Sequence, residues 1–139
     1  MLNTIDLFAG CGGLTEGFKQ ANKYKLLAGI EWDINAVNTL RKRLTEKWEY
    51  KEANKSILHF DIQRTDELIN GFMDNDYGSS VGLSKLVGDK PLDVIIGGPP
   101  CQAYSVAGRI RDENGMHEDY RNYLFESYMS IVEHFKPKA

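Results

Sequence analysis

One of the two cysteines, Cys101, follows an apolar run, two glycines and two prolines in "DVIIGGPPCQAYSVAGR", residues 93–109. The thiolate is the nucleophilic form of cysteine, and a free thiol has a pKa of about 8.5, so attack requires local stabilisation or proton removal. Pro99 and Pro100 fix their own φ angles and lack N–H groups, which stiffens the chain before the thiol. The pattern predicts a positioned nucleophile. The alternative is a small buried hydrophobic residue, which is the commoner role of a single cysteine.

A glycine-rich segment, "DLFAGCGGLTEGF", joins the first predicted strand to the first predicted helix. Glycines let the backbone approach a ligand, and the free amides at a helix start donate hydrogen bonds. The dinucleotide fingerprint G-x-G-x-x-G is not met, because Thr15 occupies the third glycine position. The second predicted strand ends in Glu31, which is placed to meet ribose hydroxyls, and Trp32 follows with an indole that can cover an adenine. A nucleotide-like ligand is predicted; the alternative is a tight turn with Trp32 in the core.

The predicted elements alternate between strands and helices, which is typical of a parallel sheet with helices on its faces. Strands are predicted over residues 3–9, "YKLLAGIEW", "SILHFDI" and "LDVIIGG", the last buried on both faces, in the sheet order 3-2-1-4. A helix runs from Gly13 to about Asn22, and a second is capped by Asp33. The predicted apolar positions of the second and last helices are Val37, Leu40, Leu44 and Trp48, and Tyr123, Phe125, Tyr128, Ile131, Val132 and Phe135.

Two further stretches are predicted to face solvent. Arg41, Lys42 and Arg43 interrupt the apolar stripe of the second helix and are expected to form a solvated face. Residues 62–92 contain a possible helix around "TDELINGFM" and then "DNDYGSSVG", which is rich in residues that favour turns. We therefore expect a mobile surface excursion between the third and fourth strands.

Composition and charge limit the functional classes. The chain has 139 residues, 42% hydrophobic and 27% charged, which suits one soluble domain. Its formal net charge of −3 argues against a freestanding nucleic-acid binder that relies on a basic surface. With no signal peptide and no membrane span expected, the predicted location is the cytoplasm. Cys11 and Cys101 are expected to be free thiols, and His59, His117 and His134 share no metal-ligand spacing, so no metal is predicted.

Four segments, "DLFAGCGGL", "EWD", "FDI" and "GGPPCQAYS", occur in this order at the ends of successive predicted strands. Together they resemble the motifs of the cytosine-C5 DNA methyltransferases. The resemblance covers nearly the whole chain except residues 62–92, which are longer than expected for that family. It implies an α/β, S-adenosylmethionine-dependent methyltransferase (Rossmann-like) fold with a mostly parallel sheet, here cut to about its first four strands. It also implies S-adenosylmethionine as the cofactor.

The resemblance implies site residues one by one. Phe8 would pack on the adenine, Glu31 would bind the ribose hydroxyls and Trp32 would stack on the adenine. Asp61 would accept a hydrogen bond from the adenine amino group, and the backbone of the glycine-rich turn would hold the methionine end. The implied cofactor-binding positions are Phe8, Ala9, Gly10, Cys11, Gly12, Gly13, Leu14, Glu31, Trp32, Asp61, Ile62, Pro100 and Leu124.

For Cys101 the resemblance implies addition of the thiolate to C6 of a cytosine, which makes C5 nucleophilic toward a methyl group. The ring edge is inaccessible in double-stranded DNA, so the base must swing out of the stack. Gln102 would lie near the displaced pair, and Ser105 and Arg109 would meet DNA phosphates. Without the motif, Arg109 would be an ordinary solubilising loop residue.

The family continues after the last helix with a strand ending in Glu-Asn-Val, further strands and a target-recognition domain. Residues 1–139 are therefore predicted to be the N-terminal portion of the catalytic domain, without a target-recognition domain and inactive alone. The alternatives are a silent fragment that holds S-adenosylmethionine or needs a complementing chain, and a tRNA methyltransferase with the same motifs. Self-association is expected through a sheet edge exposed near residues 93–96 or through the apolar face around Phe125 and Tyr128. The target sequence and membership of a restriction–modification system stay open.

Overall fold

The computed structural model describes residues 1–100 and 121–139. Its central sheet contains β1 (Leu2–Leu7), β2 (Tyr24–Glu31), β3 (Ile57–His59) and β6 (Val94–Ile96), all parallel, in the order β3-β2-β1-β6. A separate antiparallel hairpin contains β4 (Phe72–Asp74) and β5 (Gly78–Ser80). The helices are α1 (Gly13–Gln20), α2 (Ile34–Trp48), α3 (Ala53–Ser56), α4 (Thr65–Asn70), α5 (Leu83–Val87) and α6 (Arg121–Phe135). The predicted α/β class and the strand order 3-2-1-4 are confirmed.

Helices cover both faces of the sheet. Successive side chains of a strand point to opposite faces, so Leu26 and Leu27 of β2 enter different clusters. The cluster around Leu26 includes Val37, Leu40 and Leu44 of α2. The cluster around Leu27 includes residues from α4, β4, α5 and α6, namely Leu68, Phe72, Leu83, Val87, Leu124 and Ile131. The core is therefore divided by the sheet into two layers.

Helix α2 begins as the sequence predicts but faces solvent less than expected. Asp33 accepts hydrogen bonds from the backbone N–H groups of Asn35, at 2.7 Å, and Ala36, at 3.2 Å. Arg41 is not part of a solvated face, because its Nε and Nη2 both donate to the Ile57 carbonyl oxygen, at 3.1 and 2.6 Å. The prediction for Arg41 is wrong because the long side chain reaches past the helix surface to the start of β3.

The segment between β3 and β6 contains α4, the hairpin and α5. Leu68 and Leu83 are fully buried, and the Phe72 ring stacks on Phe60 with centroids 3.9 Å apart. The predicted helix is present, but the prediction of a surface excursion is wrong, since this segment supplies part of the core. Its apolar residues are separated by turn residues, so they show neither the helical nor the strand period.

The chain's own last residues pair with β6. The Ile95 N–H donates to the Ala139 carbonyl oxygen at 2.9 Å, and the Lys138 and Ala139 N–H groups donate to the Asp93 carbonyl oxygen. The predicted exposed edge at residues 93–96 is therefore wrong for Asp93 and Ile95. β6 is also not buried throughout, because only Ile95 is buried whereas Val94 and Ile96 are half-buried.

The buried stripe of α6 is rotated from the predicted one. Leu124, Ser127 and Ile131 are buried, whereas Tyr123 and Phe125 are each 52% exposed. Tyr128, Val132 and Phe135 pack against the core only in part. The predicted stripe was drawn through the aromatic positions at helical spacing, but the spacing that fits the sheet starts at Leu124. Within residues 1–100 and 121–139, no helix is long and apolar enough to cross a membrane.

Candidate functional site

The carboxyl ends of β1, β2, β3 and β6 open on a cavity of about 500 Å³. Ligands of open parallel sheets bind at this edge, outside the strand ends. Seven of the predicted cofactor positions line it: Phe8, Glu31, Trp32, Asp61, Ile62, Pro100 and Leu124. Four lining residues were not predicted, namely Ile30, Phe60, Gln63 and Gly98. Ile30, Phe60 and Gln63 each adjoin a predicted residue, and one residue separates Gly98 from Pro100. Their closeness to the strand ends is the sequence feature that could have identified them.

Phe8 follows β1 in a strained backbone conformation. Its φ of 69° lies in the left-handed region, which is uncommon for a residue with a bulky side chain. The Phe8 ring lies nearly parallel to that of Tyr128, at an interplanar angle of 6° with centroids 6.4 Å apart. Strain of this kind persists where the surrounding structure fixes it and is frequent at ligand sites. The strained residue is one that lines the cavity.

Glu31 connects the glycine-rich turn to the end of β2. Its Oε2 accepts a hydrogen bond from the Gly10 N–H and its Oε1 accepts one from the Asp33 N–H, both at 2.8 Å. A carboxylate has about four lone-pair positions, so these two bonds leave capacity for ligand hydroxyls. The same side chain can thus shape the turn and contact a ligand in the cavity.

A buried carboxylate, Asp6, lies beneath the glycine-rich turn. Asp6 is fully buried, and the Thr15 hydroxyl donates to its Oδ2 at 2.6 Å. Its Oδ1 has no hydrogen-bond partner within the described part of the chain. Burial raises the pKa of Asp6 to about 6, hydrogen bonds from Thr15 oppose the rise, and the nearby Glu31 charge adds to it. Thr15, which breaks the dinucleotide fingerprint, is therefore the residue that partners Asp6.

The other predicted cofactor positions lie in the turn and not among the cavity-lining residues. Gly12 has a φ of 92°, in the left-handed region that favours glycine, and a Cβ there would also displace the end of the Leu40 side chain. Ala9 is buried in the layer beneath α2, whereas Leu14 is 48% exposed. The Cys11 thiol is free, as predicted, and exposed. The remaining turn positions are Gly10 and Gly13.

Trp32 and Asp61 line the cavity from the segments that follow β2 and β3. Trp32 is 63% exposed, so the alternative that it is a core residue is wrong. Asp61 Oδ1 accepts a hydrogen bond from the Gln63 N–H at 2.9 Å, and Phe60 lies fully buried beside it. His59 is hydrogen-bonded through Nε2 to the Trp32 carbonyl oxygen at 3.0 Å.

The lining residues suit an adenosine-bearing ligand. Two carboxylates, Glu31 and Asp61, can accept hydrogen bonds from hydroxyl and amino groups, and Phe8 and Trp32 present aromatic faces. The cavity volume is typical of small-molecule sites, which span about 300–1,000 Å³. Across the described residues, no group of three or more His, Cys, Asp or Glu side chains could hold a metal ion.

The predicted nucleophile and substrate-binding positions, Cys101, Gln102, Ser105 and Arg109, lie outside the described residues. Gly98 and Pro100, immediately before Cys101, line the cavity. The described chain therefore reaches the cavity at the residue that precedes the predicted nucleophile.

Comparisons with known proteins agree with the sequence motifs. A type II methyltransferase from Bacillus paralicheniformis is 34% identical over 172 residues, covering 97% of this chain and 38% of that protein. Another, from Desulfomicrobium norvegicum, is 37% identical, covering 99% of this chain and 26% of the relative. A crystal structure described as a DNA modification methyltransferase encoded within an E. coli prophage superposes with a TM-score of 0.64 at 26% identity, over 99% of this chain and 30% of that one. The chain thus spans between about a quarter and two-fifths of these proteins. The sequence model of the family described as "C-5 cytosine-specific DNA methylase" matches residues 2–139, and the chain belongs to that family.

Proposed function

We propose that these residues form the cofactor-binding and nucleophile-bearing part of a DNA cytosine-C5 methyltransferase that uses S-adenosylmethionine. The observation that carries the proposal is the meeting of four strand ends at one cavity, where Phe8, Glu31, Trp32 and Asp61 come together from separate parts of the chain. Membership of the family supports the same assignment. The names of the bacterial relatives favour a type II modification enzyme, and hence a restriction–modification system.

The residues around the cavity divide the task of holding the cofactor. Glu31 would accept from the ribose hydroxyls and Asp61 from the adenine amino group, while Phe8 and Trp32 would flank the base. The turn amides would face the methionine end, which suits a carboxylate group because helix-start N–H groups favour anions. S-adenosylmethionine, when bound, supplies an activated methyl group on a sulfonium sulfur.

Cys101 is proposed as the nucleophile toward the cytosine. Its thiolate would add to C6, forming an S–C bond and shifting electron density to C5, which can then accept the methyl group. Loss of the C5 proton and elimination of the thiolate would restore the aromatic ring. Gln102, Ser105 and Arg109 are proposed to contact the DNA around the flipped base.

The activity of the longer enzyme and the activity of residues 1–139 alone are separate proposals, because the chain covers only part of its relatives. The two relatives described above are between about two and a half and four times as long as the matched region, since the chain covers 38% and 26% of them. We propose that residues 1–139 are the N-terminal portion of the catalytic domain and that methyl transfer requires further segments of such an enzyme. Activity of this chain alone is not expected.

The test is Cys101→Ser in the complete methyltransferase, with transfer of a labelled methyl group to double-stranded DNA as the measurement. The variant should lose transfer, because a hydroxyl is a far poorer nucleophile than a thiolate, while retaining S-adenosylhomocysteine binding by calorimetry. In the presence of S-adenosylmethionine, DNA containing 5-fluorocytosine should give a covalent complex with the parent and none with the variant. After methyl transfer, C5 carries fluorine in place of the proton whose loss would release the thiolate.

Three outcomes would count against parts of the proposal. Turnover of Cys101→Ser within tenfold of the parent, about 1.4 kcal/mol of activation free energy, would reject the nucleophile. Methyl transfer to tRNA with none to DNA would instead support the RNA-directed alternative. Parent protein that binds neither S-adenosylmethionine nor S-adenosylhomocysteine would reject the cofactor assignment.

A further inference from the structure

Trp32 is held in place by a segment that the family motifs do not include. The indole Nε1–H donates to the Tyr77 hydroxyl at 3.2 Å. Tyr77 lies in the turn between β4 and β5, so a hairpin inserted between β3 and β6 contacts a side chain at the cavity wall. The hairpin, residues 72–80, therefore reaches the candidate adenine side of the cavity from outside.

The Tyr77 ring is itself fixed by its neighbours. It meets the His59 ring edge-on, with centroids 4.9 Å apart, and the Phe60 ring at 5.2 Å. His59 is in turn hydrogen-bonded to the Trp32 carbonyl oxygen at 3.0 Å. Trp32 is thus contacted at both its backbone carbonyl and its indole nitrogen, although 63% of its surface is exposed.

A charged side chain fastens the hairpin to the same place. The Arg64 guanidinium lies over the Phe60 ring, 4.9 Å from its centroid, and forms ion pairs with Glu67 and Asp74. Asp74 also accepts hydrogen bonds from the Asp76 and Tyr77 N–H groups, which shapes the turn that presents Tyr77. The arrangement is a continuous set of contacts from α4 through the hairpin to Trp32.

We propose that Tyr77 is a positioning residue for cofactor binding, in that its hydroxyl holds the Trp32 indole in the orientation that stacks on the adenine. The inference rests on the proposed function, because it requires Trp32 to contact an adenine. An exposed indole otherwise samples several rotamers, and restricting it before binding lowers the entropic cost of ordering it in the complex. The hairpin thereby acts on cofactor affinity without contacting the reacting atoms.

The experiment compares Tyr77→Phe with the parent in the complete methyltransferase. Phenylalanine keeps the ring contacts with His59 and Phe60 and removes only the hydroxyl. Trp48 is changed to phenylalanine in both proteins, so that Trp32 is the one tryptophan left in these 139 residues. Tryptophans in further segments of the enzyme are also changed to phenylalanine, so that the fluorescence comes from Trp32. Acrylamide quenching of Trp32 should rise in Tyr77→Phe. The Kd for S-adenosylhomocysteine should increase about three- to tenfold, because binding must then order the indole side chain.

Tyr50→Phe is the matched control. Its hydroxyl donates to the Leu26 carbonyl oxygen at 3.0 Å on the opposite face of the sheet, so its loss is purely structural. That variant should change neither Trp32 quenching nor the Kd. In a Trp32→Phe background, which has no indole N–H, Tyr77→Phe should have no further effect on the Kd.

The outcomes distinguish the positioning role of Tyr77 from the assignment of Trp32 to the adenine site. If Trp32→Ala weakens S-adenosylhomocysteine binding but Tyr77→Phe leaves both quenching and the Kd unchanged, the positioning role of Tyr77 is overturned while the cofactor site stands. If Trp32→Ala binds as tightly as the parent, the adenine site is wrong and the role of Tyr77 is rejected with it. An equal effect of Tyr77→Phe in the Trp32→Phe background would also overturn the inference.

Discussion

The glycine-rich turn after β1 and the hairpin after α4 approach the same cavity, but they are held by different interactions. The turn depends on backbone geometry and on two carboxylates: the half-buried Glu31 accepts from the Gly10 N–H, and the buried Asp6 accepts from the Thr15 hydroxyl. The hairpin depends on ring packing, with Phe72 stacked on Phe60. The first region should therefore be sensitive to added atoms and to charge, and the second to removed apolar surface.

The largest loss of stability is expected at Gly97, which follows β6 and packs directly against the backbone at the end of β1. A Cβ at Gly97 would overlap the Leu7 carbonyl oxygen, which is backbone and cannot rotate away. Gly97→Ala should lower the free energy of unfolding by about 4 kcal/mol or more, measured by urea denaturation, because β6 must move away from β1.

Gly98→Ala is its control, because a Cβ at Gly98 meets no atom of the described residues within 4 Å. The control should remain within about 0.5 kcal/mol of the parent. If the two alanine variants unfold at the same urea concentration, the close approach of β6 to β1 is not a constraint on this region.

The hairpin side is tested by removing a ring. Phe72 is 8% exposed and Phe72→Ala should cost about 3 kcal/mol of unfolding free energy, through lost burial and the cavity left against Phe60. Met73, the next residue, is 92% exposed and serves as the control, because Met73→Ala should be nearly neutral. A loss of less than 0.5 kcal/mol in Phe72→Ala would mean that the segment is the surface excursion predicted from sequence.

The same contrast explains how much could be predicted from sequence. The strands of the central sheet and the Asp33 cap follow from apolar periodicity and capping chemistry, which depend only on residues close together in the chain. Glu31 could be predicted as the last residue of the second strand, because a parallel sheet brings such side chains to one edge. Asp61 was predicted only from the resemblance to the methyltransferase motifs.

The remaining features depend on contacts between residues far apart in the chain. Tyr77 stands in a stretch rich in turn residues, and nothing local indicates that it meets Trp32, 45 residues earlier. The sequence likewise predicts Arg41 to be a surface residue, because its contact with the Ile57 carbonyl forms only in the folded structure. The pairing of Ala139 with Ile95 depends on how the last helix returns the chain to the sheet.

The smallest effect is expected from charge in the turn region. The pKa of Asp6 is about 6 in the folded protein, above its ordinary value of 3.8, because burial disfavours the carboxylate. Between these values the Asp6 carboxyl is more protonated in the folded state than in the unfolded state. Its contribution to the free energy of unfolding is therefore greatest at low pH and is lost as pH rises through 6. From pH 4.5 to 7.5 the loss attributable to Asp6 should be about 2 kcal/mol.

Asp6→Asn removes this titration while leaving an acceptor for the Thr15 hydroxyl. The difference in unfolding free energy between the variant and the parent should therefore shift by about 2 kcal/mol in favour of the variant as pH rises from 4.5 to 7.5. Thr15→Val should instead steepen the loss, because the hydroxyl that stabilises the carboxylate is gone. A difference between Asp6→Asn and the parent that stays constant over this range would show that Asp6 is ionised throughout.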